Sequence, residues 1–265
     1  MKKPVHSRRG SVNAMLYVGV FAMAMITYYD YRARNAPAEP VPVFASAEIV
    51  AISIHRPGYL TSVVARDAGD WRITAPLTRR ADPKRIDALL SLGQYQSTEG
   101  YALEEIDPKQ MGLTSPQATL ELITDSDRFD VSLGALGPNN ERRYLQINNR
   151  VWLTADNYLP LLQGGLRAVA DLSLIAGSAT VRSVSVDGLR SDAAEIRANW
   201  RALQAAGIEP FDDFATPNVW VELDDGSKQS FTLLKREDDL ALIPSQADYA
   251  LRLTHEQARG LGLHD

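Results

Sequence analysis

The N-terminal part of the chain carries one uninterrupted apolar run, Ala14 to Tyr29, which contains no charged residue. As a helix that rises about 1.5 Å per residue, this run comes close to the ~30 Å thickness of a hydrocarbon core. A buried core helix is disfavoured because no second helix of similar apolarity follows. A cleaved signal peptide is disfavoured because its only candidate site, Ala36-Pro37-Ala38, lies too far downstream and contains proline. We therefore predict an uncleaved transmembrane anchor over residues 14–31.

The segments on either side of the predicted anchor indicate its orientation. Residues 1–13 form a basic tail with four Lys and Arg residues and no acidic residue, which places this side in the cytoplasm. Residues 32–46 are rich in proline and are expected to form a semi-extended linker. We therefore predict a single-pass protein of the bacterial inner membrane, with the bulk of the chain in the periplasm.

After the linker, short runs of alternating apolar and polar residues predict strands, with turn residues between them. Asp82 followed by Pro83 predicts a helix N-cap and a first helical position, and a second, short helix is expected from Asp156 towards Leu162. The strands predicted around these helices are Val50–Ile54, Val63–Arg66, Trp71–Ile73, Thr119–Ile123, Phe129–Leu133, Arg143–Ile147 and Val151–Thr154.

The second half of the chain repeats this order of elements. Asp192 with Glu195 resembles a capping box at a helix start, and Thr254 with Gln257 resembles another. Three strands of the second half, Val219–Leu223, Phe231–Leu234 and Leu251–Thr254, match Ala118–Leu122, Phe129–Leu133 and Val151–Thr154, and the turn Asp224–Gly226 matches Asp125–Asp127.

These matches predict the domain organisation. We predict an α+β protein in which the transmembrane helix is followed by two repeated units of antiparallel β-meander plus helix. The units cover residues 47–175 and 176–265, and the second has lost some early strands. The alternative is a chance similarity between two generic α+β segments.

The first unit contains four structural motifs. They are Trp71-x-Ile73-x-x-Pro76, Ala81-Asp82, Met111-Gly112-Leu113-x-x-Pro116 and Leu133-Gly134. With these motifs the chain resembles, over about Ala47 to Leu174, the bacterial family catalogued as domain of unknown function 4340. The resemblance implies an N-terminal membrane anchor and a link with ABC-type export systems of the gliding-motility kind, and it supplies no catalytic residue. This chain is shorter than many members of the family.

Composition and charge disfavour several classes of function. The chain has no cysteine, which excludes disulfides, thiol nucleophiles and thiolate metal sites. After residue 34 there are 22 basic and 32 acidic residues, a net charge of about −10. Nucleic-acid binders and proteins that adhere to anionic lipid carry the opposite sign. The phosphate-binding loop motif is also absent, so no nucleotide is expected.

Histidine chemistry has little support in the sequence. His255-Glu256 begins like the His-Glu-x-x-His zinc motif, but Arg259 stands where the second imidazole is required. The other histidines, His6, His55 and His264, lie far apart, and no Gly-x-Ser-x-Gly elbow is present. We therefore predict neither a zinc site nor a serine hydrolase.

Acidic clusters are the remaining candidates for ligand chemistry. Asp125, Asp127 and Asp130 offer oxygen ligands for calcium, as do Asp224 and Asp225. Both clusters fall at predicted hairpin tips, where aspartate is favoured because it hydrogen-bonds the turn backbone. The turn interpretation is preferred, although paired carboxylates suited to glycoside hydrolysis stay open.

The four tryptophans present two alternatives. Trp71, Trp152, Trp200 and Trp220 are the aromatic groups from which a sugar-binding surface could be built. Each lies within an apolar strand or helix pattern, so core packing is predicted for all of them.

The sequence thus predicts no catalytic, cofactor-binding or metal-binding residue. The preferred function is a non-enzymatic accessory or scaffold subunit with membrane proteins as partners. The choice of an ABC-type transport complex rests on the family resemblance alone. The second hypothesis is a periplasmic binding module for a cell-envelope glycan or lipid, and the third is a carboxylate-based envelope hydrolase. An exposed apolar strip at a sheet edge favours the scaffold, and a large apolar cavity favours the binding module. Carboxylates paired in a cleft favour the hydrolase.

Overall fold

The computed structural model describes residues 22–29, 39–40, 46–94, 96–97, 100–175, 179–213 and 216–263. It has an α+β fold with two antiparallel sheets and five helices. Residues 22–29 are helical (α1) with exposed side chains. No helix among the described residues is both long and apolar enough to cross a bilayer. The predicted basic tail, the rest of the predicted anchor and most of the predicted linker lie outside the described residues.

The first part of the chain forms a nine-stranded antiparallel sheet and a separate two-stranded ribbon. In chain order its strands are β1 (Glu39–Pro40), β2 (Ala51–His55), β3 (Ser62–Asp67), β4 (Asp70–Ala75), β5 (Arg79–Arg80), β6 (Gln96–Ser97), β7 (Gly100–Ala102), β8 (Ala118–Ile123), β9 (Arg128–Leu136), β10 (Arg142–Ile147) and β11 (Arg150–Ala155). The order across the first sheet is β5-β4-β3-β2-β8-β9-β10-β11-β7, and β1 pairs with β6.

The predicted N-cap at Asp82 is confirmed, and the second predicted helix begins at Tyr158 instead of Asp156. Helix α2 (Pro83–Leu90) has Asp82 as its N-cap, whose carboxylate accepts a bond of 3.0 Å from the N–H of Lys84. Its apolar face is buried against the sheet, and α3 (Tyr158–Leu161) follows β11 as predicted. Short 3-10 helices lie at Ser46–Glu48, Ser91–Gln94, Leu103–Glu105 and Gly165–Ala168.

The second part of the chain forms a seven-stranded antiparallel sheet. Its elements are β12 (Val181–Val186), β13 (Leu189–Ser191), α4 (Ala194–Ala202), β14 (Gly207–Pro210), β15 (Val219–Leu223), β16 (Lys228–Lys235), β17 (Leu240–Pro244), β18 (Tyr249–Leu253) and α5 (His255–Gly260). The order across this second sheet is β13-β12-β15-β16-β17-β18-β14. Removal of β4 and β5 from the first sheet leaves a corresponding order, β3-β2-β8-β9-β10-β11-β7. Both sheets therefore share one connectivity, in which a hairpin and a helix precede an edge strand and a four-stranded meander.

Strand pairing gives the correspondence between the sheets at the level of single residues. Glu121 of β8 lies opposite Ser53 of β2, and Glu222 of β15 lies opposite Ser183 of β12. The predicted match of residues 118–122 with residues 219–223 is therefore confirmed in register.

In the other two matches the strands correspond, but the predicted residue-by-residue alignment is shifted. Trp152 is buried on the inner face, whereas Arg252, its predicted counterpart, points outward and is exposed. Phe231 pairs with Val219 as Leu133 pairs with Ala118, so Phe231 corresponds to Leu133 and not to Phe129. Short apolar runs look alike when they are shifted by one or two positions, and only the pairing partner distinguishes the registers.

One predicted capping box is confirmed and the other is wrong. The Thr254 side chain accepts from the N–H of Gln257 at 3.2 Å, and the Gln257 side-chain oxygen accepts from the N–H of Thr254 at 3.0 Å. The N-cap of α4 is Ala193 and not Asp192, and it has no side-chain cap bond. Because the helix begins one residue later than predicted, Glu195 is the second helical residue. A capping box requires the glutamate at the third helical residue, from which its side chain accepts from the N-cap N–H.

The two sheets share one continuous hydrophobic core, which includes Ile73, Leu133, Trp200 and Leu251. Arg79 of β5 joins the sheets at their junction. Its guanidinium donates to the carbonyl oxygens of Asp171 (2.9 Å) and Ser173, and it donates to the hydroxyl of Tyr249 in β18 and lies over that ring. A buried cation is tolerated when its donors are satisfied in this way.

Candidate functional site

The histidines and acids singled out in the sequence do not converge in the described part of the chain. His255 is the first residue of α5, and Nδ1 of His55 lies 3.1 Å from Oγ1 of Thr61 across a hairpin. Among the described residues, no group of three or more His, Asp or Glu side chains is placed to hold a metal ion. His6 and His264 lie outside the described residues.

The acidic turn of the first sheet is held by local hydrogen bonds, as predicted for a hairpin tip. Oγ1 of Thr124 accepts from the N–H of Asp127 at 2.8 Å, and the Asp127 carboxylate accepts from the hydroxyl of Ser126 at 2.9 Å. Asp130 forms an exposed ion pair of 3.5 Å with Arg128. These contacts fit turn formation.

The acidic turn of the second sheet is also held by hydrogen bonds to its aspartates, but from other partners. The Asp224 carboxylate accepts from the N–H (3.1 Å) and the hydroxyl (2.5 Å) of Thr180, and Asp225 accepts from the N–H (2.8 Å) and the hydroxyl (2.6 Å) of Ser227. The hydrogen bond from the Thr180 hydroxyl lowers the pKa of Asp224, and the bond from the Ser227 hydroxyl lowers the pKa of Asp225. Hydrogen bonds to the charged form favour that form.

We expect Thr180→Val to raise the pKa of Asp224 towards its ordinary value, because the hydroxyl that stabilises the carboxylate is lost. The folded-state pKa of Asp224 is depressed, so its contribution to stability is present above the unfolded-state pKa and is lost as the pH falls through the folded-state pKa. An acid titration of side-chain carboxyl carbons by NMR measures the shift. Ser227→Ala is the matched control and should move Asp225 instead; an unchanged Asp224 titration in Thr180→Val contradicts the assignment.

The tryptophans divide into three buried rings and one exposed ring, and all four belong to the described residues. Trp71, Trp152 and Trp200 are 6 %, 1 % and 0 % exposed, so core packing is confirmed for them. Trp220 is 40 % exposed, and the prediction that it belongs to the core is wrong. In β15 the side chains of Val219 and Val221 point inward, and the alternation of a strand then directs Trp220 outward. This alternation was visible in the sequence.

Trp220 lies in a row of small hydroxyl side chains on the outer face of the second sheet. It pairs across the sheet with Ser185 of β12 and Ser230 of β16. Oγ of Ser230 lies 2.7 Å from Oγ of Ser245, which follows β17. A cleft of about 390 Å³ begins at Ser245, and Phe211 is the aromatic residue of its lining. The hydroxyl row and Phe211 were not among the residues predicted from the sequence.

Glu222 occupies the same outer face beside Trp220. Its carboxylate accepts from the Ser183 hydroxyl at 3.1 Å and lies 3.4 Å from Arg190 and 3.7 Å from Arg182. The arrangement orders this end of the sheet and leaves Trp220 as the large apolar surface beside it.

A second exposed apolar region lies at the β13 edge of the second sheet. Leu189 is 81 % exposed, and it borders a cleft of about 410 Å³ whose lining includes Val184, Val186, Ile196 and Leu261. In the first sheet the strand that corresponds to β13 is β3, and it is followed by β4 and β5. Within the described residues the second sheet ends at β13.

Comparison of the chain with protein families, with curated proteins and with solved structures found no match. The resemblance of residues 47–174 to the domain of unknown function 4340 family therefore stays a prediction.

Proposed function

We infer that the chain is a non-enzymatic accessory or scaffold subunit of a membrane complex. Residues 14–31 anchor it in the inner membrane, the N-terminus lies in the cytoplasm, and residues 47–265 work in the periplasm. The periplasmic part consists of two copies of one unit, residues 47–175 and 176–265. The shared strand order of the two sheets and the equivalent positions of Glu121 and Glu222 support this duplication.

The exposed edge of the second sheet is the observation that carries the scaffold proposal. Leu189 and the cleft next to it offer apolar surface beside a strand whose outer backbone groups have no neighbouring strand in the described part of the sheet. Exposed apolar surface and an open strand edge together favour pairing with another polypeptide.

The corresponding hairpin of the first unit supports the same interpretation. Tyr59 lies at its tip and contacts Gly165, where the 3-10 helix after α3 begins. The side chain of Arg56 lies over the Tyr59 ring and donates to the carbonyl oxygen of Leu162 at 3.1 Å. The first hairpin therefore contacts a segment of its own chain, with Tyr59 46 % and Leu60 57 % exposed, whereas Leu189 of the second hairpin is 81 % exposed.

The choice of an ABC-type transport complex as the partner rests on the family resemblance alone. Such a complex supplies periplasmic surfaces close to the membrane, within reach of a domain on a short linker. The absence of cysteine and of nucleotide and zinc motifs from the sequence supports a role in assembly over a role in chemistry.

We expect a photo-crosslinking amino acid at position 189 of the full chain to capture a subunit of an ABC-type transport complex in cells. The reason is that an 81 % exposed leucine at a strand edge becomes buried when a partner docks there. Mass spectrometry of the adduct identifies the partner. The same probe at the exposed Lys109 is the control, and Leu189→Asp should abolish co-purification of the partner without loss of folding. Equal adducts from both positions, or none from position 189, contradict the proposal.

A further inference from the structure

The outer face of the second sheet has a feature that partner docking at β13 does not use. Trp220 stands in the middle of this face, with Ser185 on one neighbouring strand and Ser230 on the other. The Ser230 and Ser245 hydroxyls hydrogen-bond each other at 2.7 Å, and either oxygen can act as donor. The pair therefore keeps one hydroxyl hydrogen and several lone pairs for a further partner.

A cleft continues this surface. It has a volume of about 390 Å³ and is lined by Phe211, Ile243 and Ser245, and by the polar residues Asp212, Asp213 and Gln246. Because neighbouring strands lie about 4.8 Å apart, Ser245 is about 10 Å from Trp220, which is roughly the length of two sugar rings. The indole, the hydroxyl pair and the cleft thus lie along one line across β15, β16 and β17.

The chemistry of this line matches a neutral saccharide. A pyranose ring presents a face of C–H groups that packs on an aromatic ring, and its rim of hydroxyls both donates and accepts hydrogen bonds. Trp220 and Phe211 supply aromatic rings, while serine hydroxyls, carboxylates and an amide supply the polar partners. Pockets that combine apolar walls with a few placed polar groups are typical of small-ligand sites.

The negative charge of the cleft favours a neutral saccharide over anionic ligands. Asp212, Asp213 and Asp248 all line the cleft, so an anionic lipid headgroup, a nucleotide or a uronic acid would meet carboxylates there. A neutral ligand avoids this repulsion and still uses the carboxylates as acceptors. The first sheet has Thr119 at the position of Trp220, so the aromatic platform belongs to the second sheet alone.

We propose that the outer face of the second sheet binds a neutral oligosaccharide. One ring packs on the indole of Trp220, and the hydroxyls of the chain bond to Ser230 and Ser245. The next ring enters the cleft against Phe211, where the carboxylate rim accepts its hydroxyl hydrogens. The proposal does not depend on the docking of a protein at Leu189.

Fluorescence of the full chain tests this site, because Trp220 is the exposed ring among the four tryptophans. Quenching by acrylamide therefore reports on Trp220. The probes are cellotetraose and tetra-N-acetylchitotetraose, with tetragalacturonate as the anionic control. We expect at least one neutral tetrasaccharide to protect Trp220 from acrylamide and to shift its emission to the blue, and we expect tetragalacturonate to do neither.

Variants connect the signal to the site. Trp220→Ala and Phe211→Ala should each raise the dissociation constant of the neutral tetrasaccharide, measured by calorimetry, by about tenfold or more. Thr119→Ala, at the equivalent position of the first sheet, should leave it unchanged, and far-UV circular dichroism should show that Trp220→Ala remains folded. The proposal is overturned if neither neutral probe protects Trp220, if binding survives in Trp220→Ala, or if protection appears without sugar on raising the protein concentration.

Discussion

Replacement of Trp200 by alanine is expected to lower the free energy of unfolding by about 3–5 kcal/mol, the range for removal of a fully buried aromatic ring. Trp200 is 0 % exposed, and its ring centroid lies 5.5 Å from that of Phe231. Its indole N–H donates to the carbonyl oxygen of Leu261 at 3.0 Å. The substitution leaves a cavity and an unsatisfied carbonyl at the point where α4 packs on the end of α5. Urea unfolding of the full chain, followed by far-UV circular dichroism, measures the change.

Two further variants separate the effect of burial from the effect of the indole N–H. Trp220→Ala removes the same side chain from an exposed position and should cost less than about 1 kcal/mol, because exposed substitutions rarely cost more. Trp200→Phe keeps most of the ring but removes the donor, so its cost should fall between the other two. Equal losses for Trp200→Ala and Trp220→Ala would show that the assignment of the two faces is incorrect.

Arg143→Ala is expected to cost about 3 kcal/mol, since it breaks a largely buried ion pair. Nε and Nη2 of Arg143 lie 2.7 Å and 2.9 Å from the two carboxylate oxygens of Asp156, and Nη1 donates to the carbonyl oxygen of Gly134 at 2.6 Å. The Arg143 side chain is 6 % exposed and that of Asp156 is 24 % exposed. Loss of the guanidinium therefore leaves a half-desolvated carboxylate and a buried carbonyl without donors.

The matched control for Arg143 is the pair of Arg128 and Glu121, in which the glutamate is 24 % exposed, as Asp156 is, but the arginine is exposed. Their side-chain atoms lie 2.8 Å apart, but the Arg128 side chain is 62 % exposed, so Arg128→Ala should cost less than about 1 kcal/mol. Added salt should reduce the small effect of Arg128→Ala and leave the effect of Arg143→Ala nearly unchanged. In a double-mutant cycle, Arg143→Ala with Asp156→Ala should cost less than the sum of the single changes. Additive losses would mean that the pair is not coupled.

Local sequence chemistry predicted the starts of α2 and α5, failed for α4 and placed the start of α3 at Asp156 when it begins at Tyr158. Asp82 before Pro83 and the Thr254–Gln257 pair occupy the predicted cap positions because each cap involves residues within one turn. Asp192 failed as a cap because the helix begins one residue later, and a single-residue shift is beyond the precision of local patterns.

Hydrophobic alternation predicted β2–β4, β8–β11, β15, β16 and β18 and, in one case, the residue correspondence between the two sheets. It did not predict β12, β13, β14 and β17 of the second sheet. Residues 118–122 and 219–223 were aligned correctly because both contain the same alternation and a glutamate at the same place. Trp220 was assigned to the core on the general preference of aromatic rings for burial. The alternation of its own strand predicted the opposite face, and the alternation is the stronger physical constraint because the pleat leaves no choice of side.

The contacts on which the larger predictions rest could not be derived from spacing along the chain. Arg79 meets Tyr249, and Trp200 meets Leu261, across separations that no local pattern encodes. The hydroxyl line from Ser185 through Trp220 to Ser245 forms because β12, β15, β16 and β17 pair side by side. None of its members is marked by a motif when the sequence is considered alone.

By itself, the sequence predicted most strands of the first sheet, three strands of the second sheet, and an order of elements that the two halves share. It did so because the period of apolar residues and the side chains at turns act over a few residues. Only the tertiary structure decided which strands pair, which residues lie opposite one another and which charged groups are buried. Those outcomes depend on strand register and on packing between the two sheets, where free energy is shared among residues that are distant in the chain.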